Sequence, residues 1–256
     1  MRFDDLPGQT AIITGGARGL GYSLATALAG QGVKVGLLDI LPLVGDSAAT
    51  LAAEFGVETA GVVTDVTDAA SVEAGFAAVR DTLGTPTILI TAAGVTTWGD
   101  SVDVTPEEWA RVVNINLTGT FFATQSFARP LIGAGATASA VLISSMSARV
   151  VNVPQRQTSY NATKAAVDQL GASLAVEWAS EGIRVNAIAP GYFLSDMTRQ
   201  FTEKNPELAA DWIARIPLGR MGEPRDLHGL VLLLASDASS YLTGQSLVID
   251  GGYTAI

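Results

Sequence analysis

The stretch from Thr10 to Gln31 constrains the fold most. Thr10-Ala11-Ile12-Ile13-Thr14 is short, apolar and rich in β-branched residues, as a strand buried on both faces should be. Gly15-Gly16-Ala17-Arg18-Gly19-Leu20-Gly21 follows. The pattern then predicts a helix from about Leu20 to Gln31, with Leu20, Leu24, Ala27 and Leu28 on one face. Strand, glycine turn and helix in that order bring backbone N–H groups and a helix N-terminus to one point, the arrangement that holds a pyrophosphate. The glycine spacing is G-x-x-x-G-x-G, not the G-x-G-x-x-G of many dinucleotide folds.

The same alternation continues to the end of the chain. Val33–Leu38 reads as the second strand and ends at Asp39. An acid about 20 residues past such glycines hydrogen-bonds the adenosine ribose hydroxyls and repels a 2′-phosphate. The next residue is Ile40, with no arginine to offset that repulsion, so NAD is favoured over NADP. Arg18, in the glycine loop, is the counter-signal, since it could reach a 2′-phosphate. Further strands are expected at Val57–Thr64, Thr87–Thr91, Ser139–Ile143, Ile183–Ala189 and Leu247–Ile249, with helical patterns between them. After the third strand, Asp65 could accept from the adenine amino group with Val66 against the ring, while Asp68 reads as the N-cap of the next helix. Ala92-Ala93-Gly94, after strand four, lets backbone pass close to a cofactor. The pattern loosens between about residues 192 and 217, where Tyr192, Phe193, Phe201 and Trp212 suggest a partly apolar lid over a substrate. Without a linker or low-complexity segment, residues 1–256 form one α/β domain: a doubly wound, Rossmann-type parallel sheet flanked by helices.

Composition narrows the chemistry. The net charge of −10 and the lack of a basic patch argue against a nucleic-acid partner and against anionic membranes. There are no cysteines, which excludes disulfides, thiolate metal sites and Cys nucleophiles. His228 is the only histidine, so no metal site is expected, and a serine hydrolase would need that late-helix residue as its base. No signal peptide and no run of transmembrane length is evident, so the expected location is cytoplasmic.

Two polar groups then stand out. Tyr160 and Lys164 are four residues apart, hence on one face of a helix. A phenol is a weak acid, and a neighbouring ammonium favours its phenolate. Upstream, Ser144-Ser145-Met146-Ser147 closes strand five at its carboxyl end, where ligand sites of α/β sheets form. Asn116 lies within an apolar helical run, either as a structural hydrogen-bonder or as part of a proton path.

Taken together, these pieces resemble the short-chain dehydrogenase/reductase family over essentially the whole chain. The matching segments are Thr14–Gly21, Asp65-Val66, Asn114–Gly119, Ser145, Tyr160-x-x-x-Lys164 and Arg184–Gly191. The resemblance implies NAD(P)-dependent oxidoreduction. Tyr160 would be the acid/base, Lys164 would hold the nicotinamide ribose and depress the tyrosine pKa, Ser145 would bind the substrate oxygen, and Asn116 would steady a water behind Lys164. Pro190, Gly191, Phe193 and Ser195 would border the nicotinamide. A homotetramer built partly from the long helices after strands four and five is also implied. Two departures accompany the match. Thr91-Ala92-Ala93-Gly94 replaces the usual Asn-Asn-Ala-Gly, and the loop before Tyr160 is two residues longer than the common spacing, which leaves Ser147 as a possible substrate contact beside Ser145.

The longer loop, Ala148–Gln155, and Tyr253 are similar to polyol and sugar-alcohol dehydrogenases of this family. Asn152 and Gln155 could read hydroxyls, and Tyr192 could contact the substrate. The expectation is an NAD-dependent enzyme that interconverts a secondary alcohol and its ketone. The alternatives are an NADPH-dependent 3-oxoacyl-thioester reductase and a non-catalytic NAD-sensing protein.

Overall fold

The computed structural model describes residues 3–194 and 202–256. Seven parallel strands form one sheet: β1 (Thr10–Thr14), β2 (Lys34–Asp39), β3 (Thr59–Val63), β4 (Ile88–Thr91), β5 (Ala138–Ile143), β6 (Ile183–Pro190) and β7 (Ser246–Ile249). Their order is β3-β2-β1-β4-β5-β6-β7. The order reverses between β1 and β4, which opens a crevice at the carboxyl ends of those strands. This is the doubly wound architecture that the alternating pattern predicts, with strand bounds moved by one or two residues.

Successive residues of a strand face opposite sides of the sheet, so each buried strand feeds two cores. Ile13 joins one core, with Leu24 and Leu28 of α1 (Gly19–Ala29), Val44 and Leu51 of α2 (Val44–Phe55), and Val231 and Leu234 from late in the chain. Its neighbour Ile12 joins the other core. There it meets Phe76 and Val79 of α3 (Ala69–Leu83), Phe127 further along the chain, and Val167 and Trp178 of α6 (Thr158–Trp178). Asp68 caps α3, accepting from Ala70 N at 2.9 Å.

The helix after β4 departs from a regular α-helix. Thr105 and Glu108 close a capping box at the start of α4 (Pro106–Val113). The backbone then widens into a π turn over Asn114–Thr118 before α5 (Gly119–Ala128) resumes. A π turn inserts an extra residue into the helical repeat and is common at functional sites. Here it coincides with the burial of Asn116, the one buried residue of the turn.

Beyond β6, a third and smaller cluster forms over the carboxyl edge of the sheet. Met146, Tyr192, Trp212, Ile216 and Met221 are its buried members. Trp212 belongs to α7 (Pro206–Ala214). The expected lid is thus a helix docked by its tryptophan; Ser195, Met197 and Phe201 lie outside the described residues. A short 3-10 turn leads into α8 (His228–Ala235). No described helix is long and apolar enough to cross a membrane.

Phe127 is fully buried between α3, α5 and the sheet. Phe127→Ala is expected to cost about 3–5 kcal/mol and to lower the urea midpoint followed by circular dichroism.

Candidate active site

The crevice begins where β1 and β4 end. Gly15 has φ +66°, and a Cβ there would lie 2.6 Å from Ala93 N. A Cβ on Gly21 would lie 2.2 Å from Gly15 O. Only glycine allows both approaches, and together they pack the start of α1 onto the turn. Asp39 ends β2 beside this turn. Its Oδ2 accepts from Ala17 N at 3.0 Å and its Oδ1 from Leu41 N at 3.0 Å. The carboxylate is thereby fixed at the end of the glycine loop, with Arg18 and Ile40 exposed on either side. Leu20 packs against the first core.

Two neighbouring positions have partners of their own within the protein. Asp65 Oδ1 accepts from both Thr67 N and Thr67 Oγ1, at 2.9 and 2.7 Å, so one of its oxygens closes a local turn. Val66 is buried, and a Cβ on Gly119 would meet it at 2.9 Å. Its side chain packs on α5, where the sequence suggested an adenine face.

The catalytic candidates come from three elements. Tyr160 and Lys164 lie on α6, Ser145 follows β5, and Asn116 sits in the π turn. Lys164 is 5% exposed and its Nζ donates to Ile143 O at 2.6 Å. That nitrogen lies 5.6 Å from the centroid of the Tyr160 ring. Gly94 borders both groups: a Cβ there would be 3.7 Å from Lys164 Nζ and 3.5 Å from Asn116 Oδ1. Asn116 is fully buried. Its Oδ1 accepts from Val95 N at 2.8 Å, and its Nδ2 donates to Val95 O at 2.9 Å and to Thr163 Oγ1 at 3.2 Å. The amide therefore braces the segment after β4 against α6, which is the structural one of the two roles open in the sequence.

Of the two candidate serines, Ser145 is the one that hydrogen-bonds Tyr160. Burial raises the Tyr160 pKa, and the Ser145 bond opposes that rise. Burial lowers the Lys164 pKa to about 8, with the Asp168 carboxylate opposing. The sequence suggested a lysine charged at all neutral pH values and a depressed phenol. In the protein alone, desolvation dominates both groups, because each is taken out of water.

Ser147 lies one step further along the short 3-10 turn Met146–Ala148. Its backbone N donates to Ser145 Oγ at 3.1 Å. Its own Oγ accepts from Asn152 Nδ2 at 2.8 Å and from Gln157 Nε2 at 3.2 Å. Gln155 Oε1 accepts from Tyr192 O–H at 3.0 Å. Tyr192 stacks on Trp212, with centroids 4.5 Å apart and an interplanar angle of 11°. It meets Tyr253 edge-on at 5.5 Å and 81°. Pro190 closes β6, and Gly191 packs on Asp250, where a Cβ would lie 2.6 Å from its Cβ. The Phe193 ring is buried against Gly222, so contact with a cofactor would fall to its backbone. Gln157 and Asp168 were not singled out from sequence. Asp168 stands one helical turn past Lys164, a spacing that could have flagged it.

His228 is hydrogen-bonded to Ser23, with Nε2 2.8 Å from Oγ, between α8 and α1. Burial lowers its pKa. Among the described residues no carboxylate hydrogen-bonds its ring, and no cluster suits a metal ion.

A glycine-lined crevice at a sheet switch point, beside a tyrosine, a lysine and a serine, defines an oxidoreductase that uses a nicotinamide dinucleotide. The family model described as "Enoyl-(Acyl carrier protein) reductase" matches residues 15–254. Galactitol 2-dehydrogenase (L-tagatose-forming) of Cereibacter sphaeroides is 40% identical over 250 residues, which span 97% of this chain and 96% of that one. A short-chain type dehydrogenase/reductase from Mycobacterium marinum superposes with a TM-score of 0.92 at 36% identity, covering 98% of each chain. The NADPH-dependent 3-quinuclidinone reductase of Rhodotorula rubra does so at 0.91 and 36%, covering 98% of this chain and 93% of that one. The chain belongs to the short-chain dehydrogenase/reductase family, and its activity is NAD(P)-dependent oxidoreduction.

Asn116→Ala would remove the hydrogen-bond partner of the part-buried N–H and C=O of Val95. It is expected to cost about 1–3 kcal/mol, measured by thermal or urea unfolding, even without cofactor.

Proposed function

We propose that the protein oxidises a secondary hydroxyl of a polyol to the ketone, and reduces the ketone in reverse, with NAD as the preferred cofactor. The observation that carries the polyol reading is the hydrogen-bond inventory at Ser147 and Asn152. A serine hydroxyl has two acceptor sites and one donor. Both acceptor sites of Ser147 are filled by Asn152 and Gln157, so its proton is left to donate. Asn152 Oδ1 is buried and has no partner. A donor and an acceptor next to each other complement an alcohol hydroxyl, which gives one hydrogen bond and takes another. A ketone or thioester oxygen can only accept. The similarity to a galactitol dehydrogenase supports the same substrate class.

The crevice suits a dinucleotide. The contacts at Gly15 and Gly21 leave no room for a side chain beside the pyrophosphate position, and Gly94 keeps backbone close to Lys164. Asp39 supports NAD, because a buried carboxylate held by two backbone N–H groups cannot swing away from a 2′-phosphate. The residues we assign to cofactor binding are Gly15, Arg18, Gly19, Leu20 and Gly21 in the glycine turn, Asp39 and Ile40, Asp65 and Val66, Ala93 and Gly94, and Pro190, Gly191, Phe193 and Ser195, beside Tyr160 and Lys164. When bound, the cofactor supplies the hydride acceptor.

The chain's own residues do the rest. Ser145 holds the substrate oxygen next to the Tyr160 hydroxyl. Tyr160, as phenolate, takes the alcohol proton while hydride leaves the carbinol carbon. Lys164 stabilises that phenolate and binds the nicotinamide ribose. Asn116 fixes α6 and the segment after β4 in one geometry. Preorganised placement of this kind is the main contribution a protein makes to cofactor chemistry.

Assembly as a homotetramer is part of this reading. Trp109 and Phe121, on α4 and α5, and Val176, on α6, are exposed apolar side chains on the two helices expected to pair. Light scattering should give the mass of four chains; a monomer would sink that part.

The decisive experiment is a panel of hexitols, pentitols, simple secondary alcohols and 3-hydroxyacyl thioesters, each with NAD and with NADP, followed at the absorbance of the reduced cofactor. Polyols with NAD should turn over fastest. Asn152→Ala should raise the polyol KM by about tenfold or more, as one buried hydrogen bond to a hydroxyl is worth about 1–2 kcal/mol. It should leave simple secondary alcohols little changed. Tyr160→Phe should abolish turnover and still bind NADH, as read by fluorescence. A preference for thioesters with NADPH would replace this reading.

A further inference from the structure

Behind Lys164 lies a second polar cluster that the proposed chemistry does not use. Asp168 is four residues on, so it shares the Lys164 face of α6 one turn away. Its Oδ1 accepts from Ser246 Oγ at 2.9 Å. Its Oδ2 stands 4.0 Å from Arg149 Nε. Arg149 Nη2 in turn donates to Ser246 O at 2.5 Å. Arg149 is the residue that ends the turn carrying Ser145 and Ser147, where its backbone N donates to Met146 O at 2.9 Å. One carboxylate thus joins the catalytic helix, the serine turn and the edge strand β7.

The charge around Lys164 is sparse. The surrounding elements bring Ser144 and the Ile143 carbonyl from β5, Asn116 from the π turn, and Tyr160 from its own helix. None of these is an anion in the resting protein. Among the described residues, Asp168 is the one charged group that acts on the Lys164 amine, and Arg149 is the cation that faces Asp168.

We propose that Asp168 is a positioning residue whose carboxylate keeps Lys164 in its charged form and, through Arg149 and Ser246, ties the Ser145–Ser147 turn to the catalytic helix. This rests on the reading of Tyr160 and Lys164 given above. Its consequence is a proton-placement effect. When the pair has lost one proton, the remaining one can sit on the phenol or on the amine. Only the phenolate–ammonium form can take a proton from an alcohol. A carboxylate next to the amine favours that form.

The sign can be worked out. Burial brings Lys164 down to about 8, and Asp168 opposes that fall. Removing the Asp168 charge lets the amine fall further, so ammonium is lost at lower pH. The high-pH limb of the kcat profile for oxidation should therefore move down in Asp168→Asn, by about one unit, and kcat should fall about tenfold. Asp168→Glu should restore the limb. Arg149→Met removes the cation that faces Asp168 and should move the limb up. Ser246→Ala removes one hydrogen bond and no charge, and should leave the limb in place whatever it does to stability.

The test is the pH dependence of alcohol oxidation for these four variants and for Lys164→Met, with NADH binding and thermal unfolding recorded for each. Opposite shifts in Asp168→Asn and Arg149→Met support the inference. If Asp168→Asn fails to fold, the Arg149→Met limb decides alone, since a merely structural tie would not raise it. Unmoved limbs in folded, NADH-binding variants, with Lys164→Met inactive, overturn the role of Asp168 and leave the assignment of Lys164 standing. Full activity in Lys164→Met would instead overturn the underlying reading.

Discussion

The burial of one ammonium group organises much of this structure. An amine in a low-dielectric interior loses its hydration and tends to give up its proton. Against that tendency, Lys164 has a carbonyl at the end of β5, the face of Tyr160 and Asp168 one turn on. Each comes from a different part of the fold or a different turn of α6. The edge of the sheet, the serine turn and the catalytic helix must therefore dock correctly before the amine is satisfied. The same docking puts Ser145 against Tyr160.

On the other side of the crevice the constraint is steric. Gly15 and Gly21 bring stretches of backbone closer than side chains permit, and Gly94 leaves the space before Asn116 and Lys164 open. The switch in strand order between β1 and β4 creates the gap, and the glycines keep it clear. Asp39 then closes the far end with both oxygens already engaged by backbone. Such a carboxylate is held rigidly by the backbone of its own strand end and of the glycine loop.

Fold and site were legible in the sequence to different degrees. Strands buried on both faces read as apolar runs, and β1 and α3 match their expected bounds because glycine or a capping Asp marks their ends. The helix after β4 was read as regular, since a π turn is a change of backbone hydrogen bonding that the mixed polar and apolar residues of Asn114–Thr118 do not announce. Asp39, Ser145, Tyr160 and Lys164 were found from motif and strand-end position. The burial of Val66 against Gly119 was not legible, because it is a tertiary contact across α5. Asp168 and Gln157 were missed for a related reason. Their partners, Ser246, Arg149 and Ser147, lie on other segments, and only the one-turn spacing of Asp168 from Lys164 offered a local signal.

The substrate signals in the sequence pointed two ways, towards an aromatic lid and towards hydroxyl readers. In the folded chain they belong to two faces of one space. Tyr192 and Trp212 stack over the carboxyl edge of the sheet, and Trp98 meets Trp212 edge-on at 6.4 Å and 80°. Beneath them, Ser147 and Asn152 present a donor and an acceptor. An extended polyol has the same division, with C–H groups along one side and hydroxyls along the other. The Tyr192 hydroxyl donates its proton to Gln155 Oε1, so the aromatic side offers mainly ring faces. On the proposed reading, such a lid would take carbon surface and the loop would take hydroxyls, and one class of molecule meets both requirements.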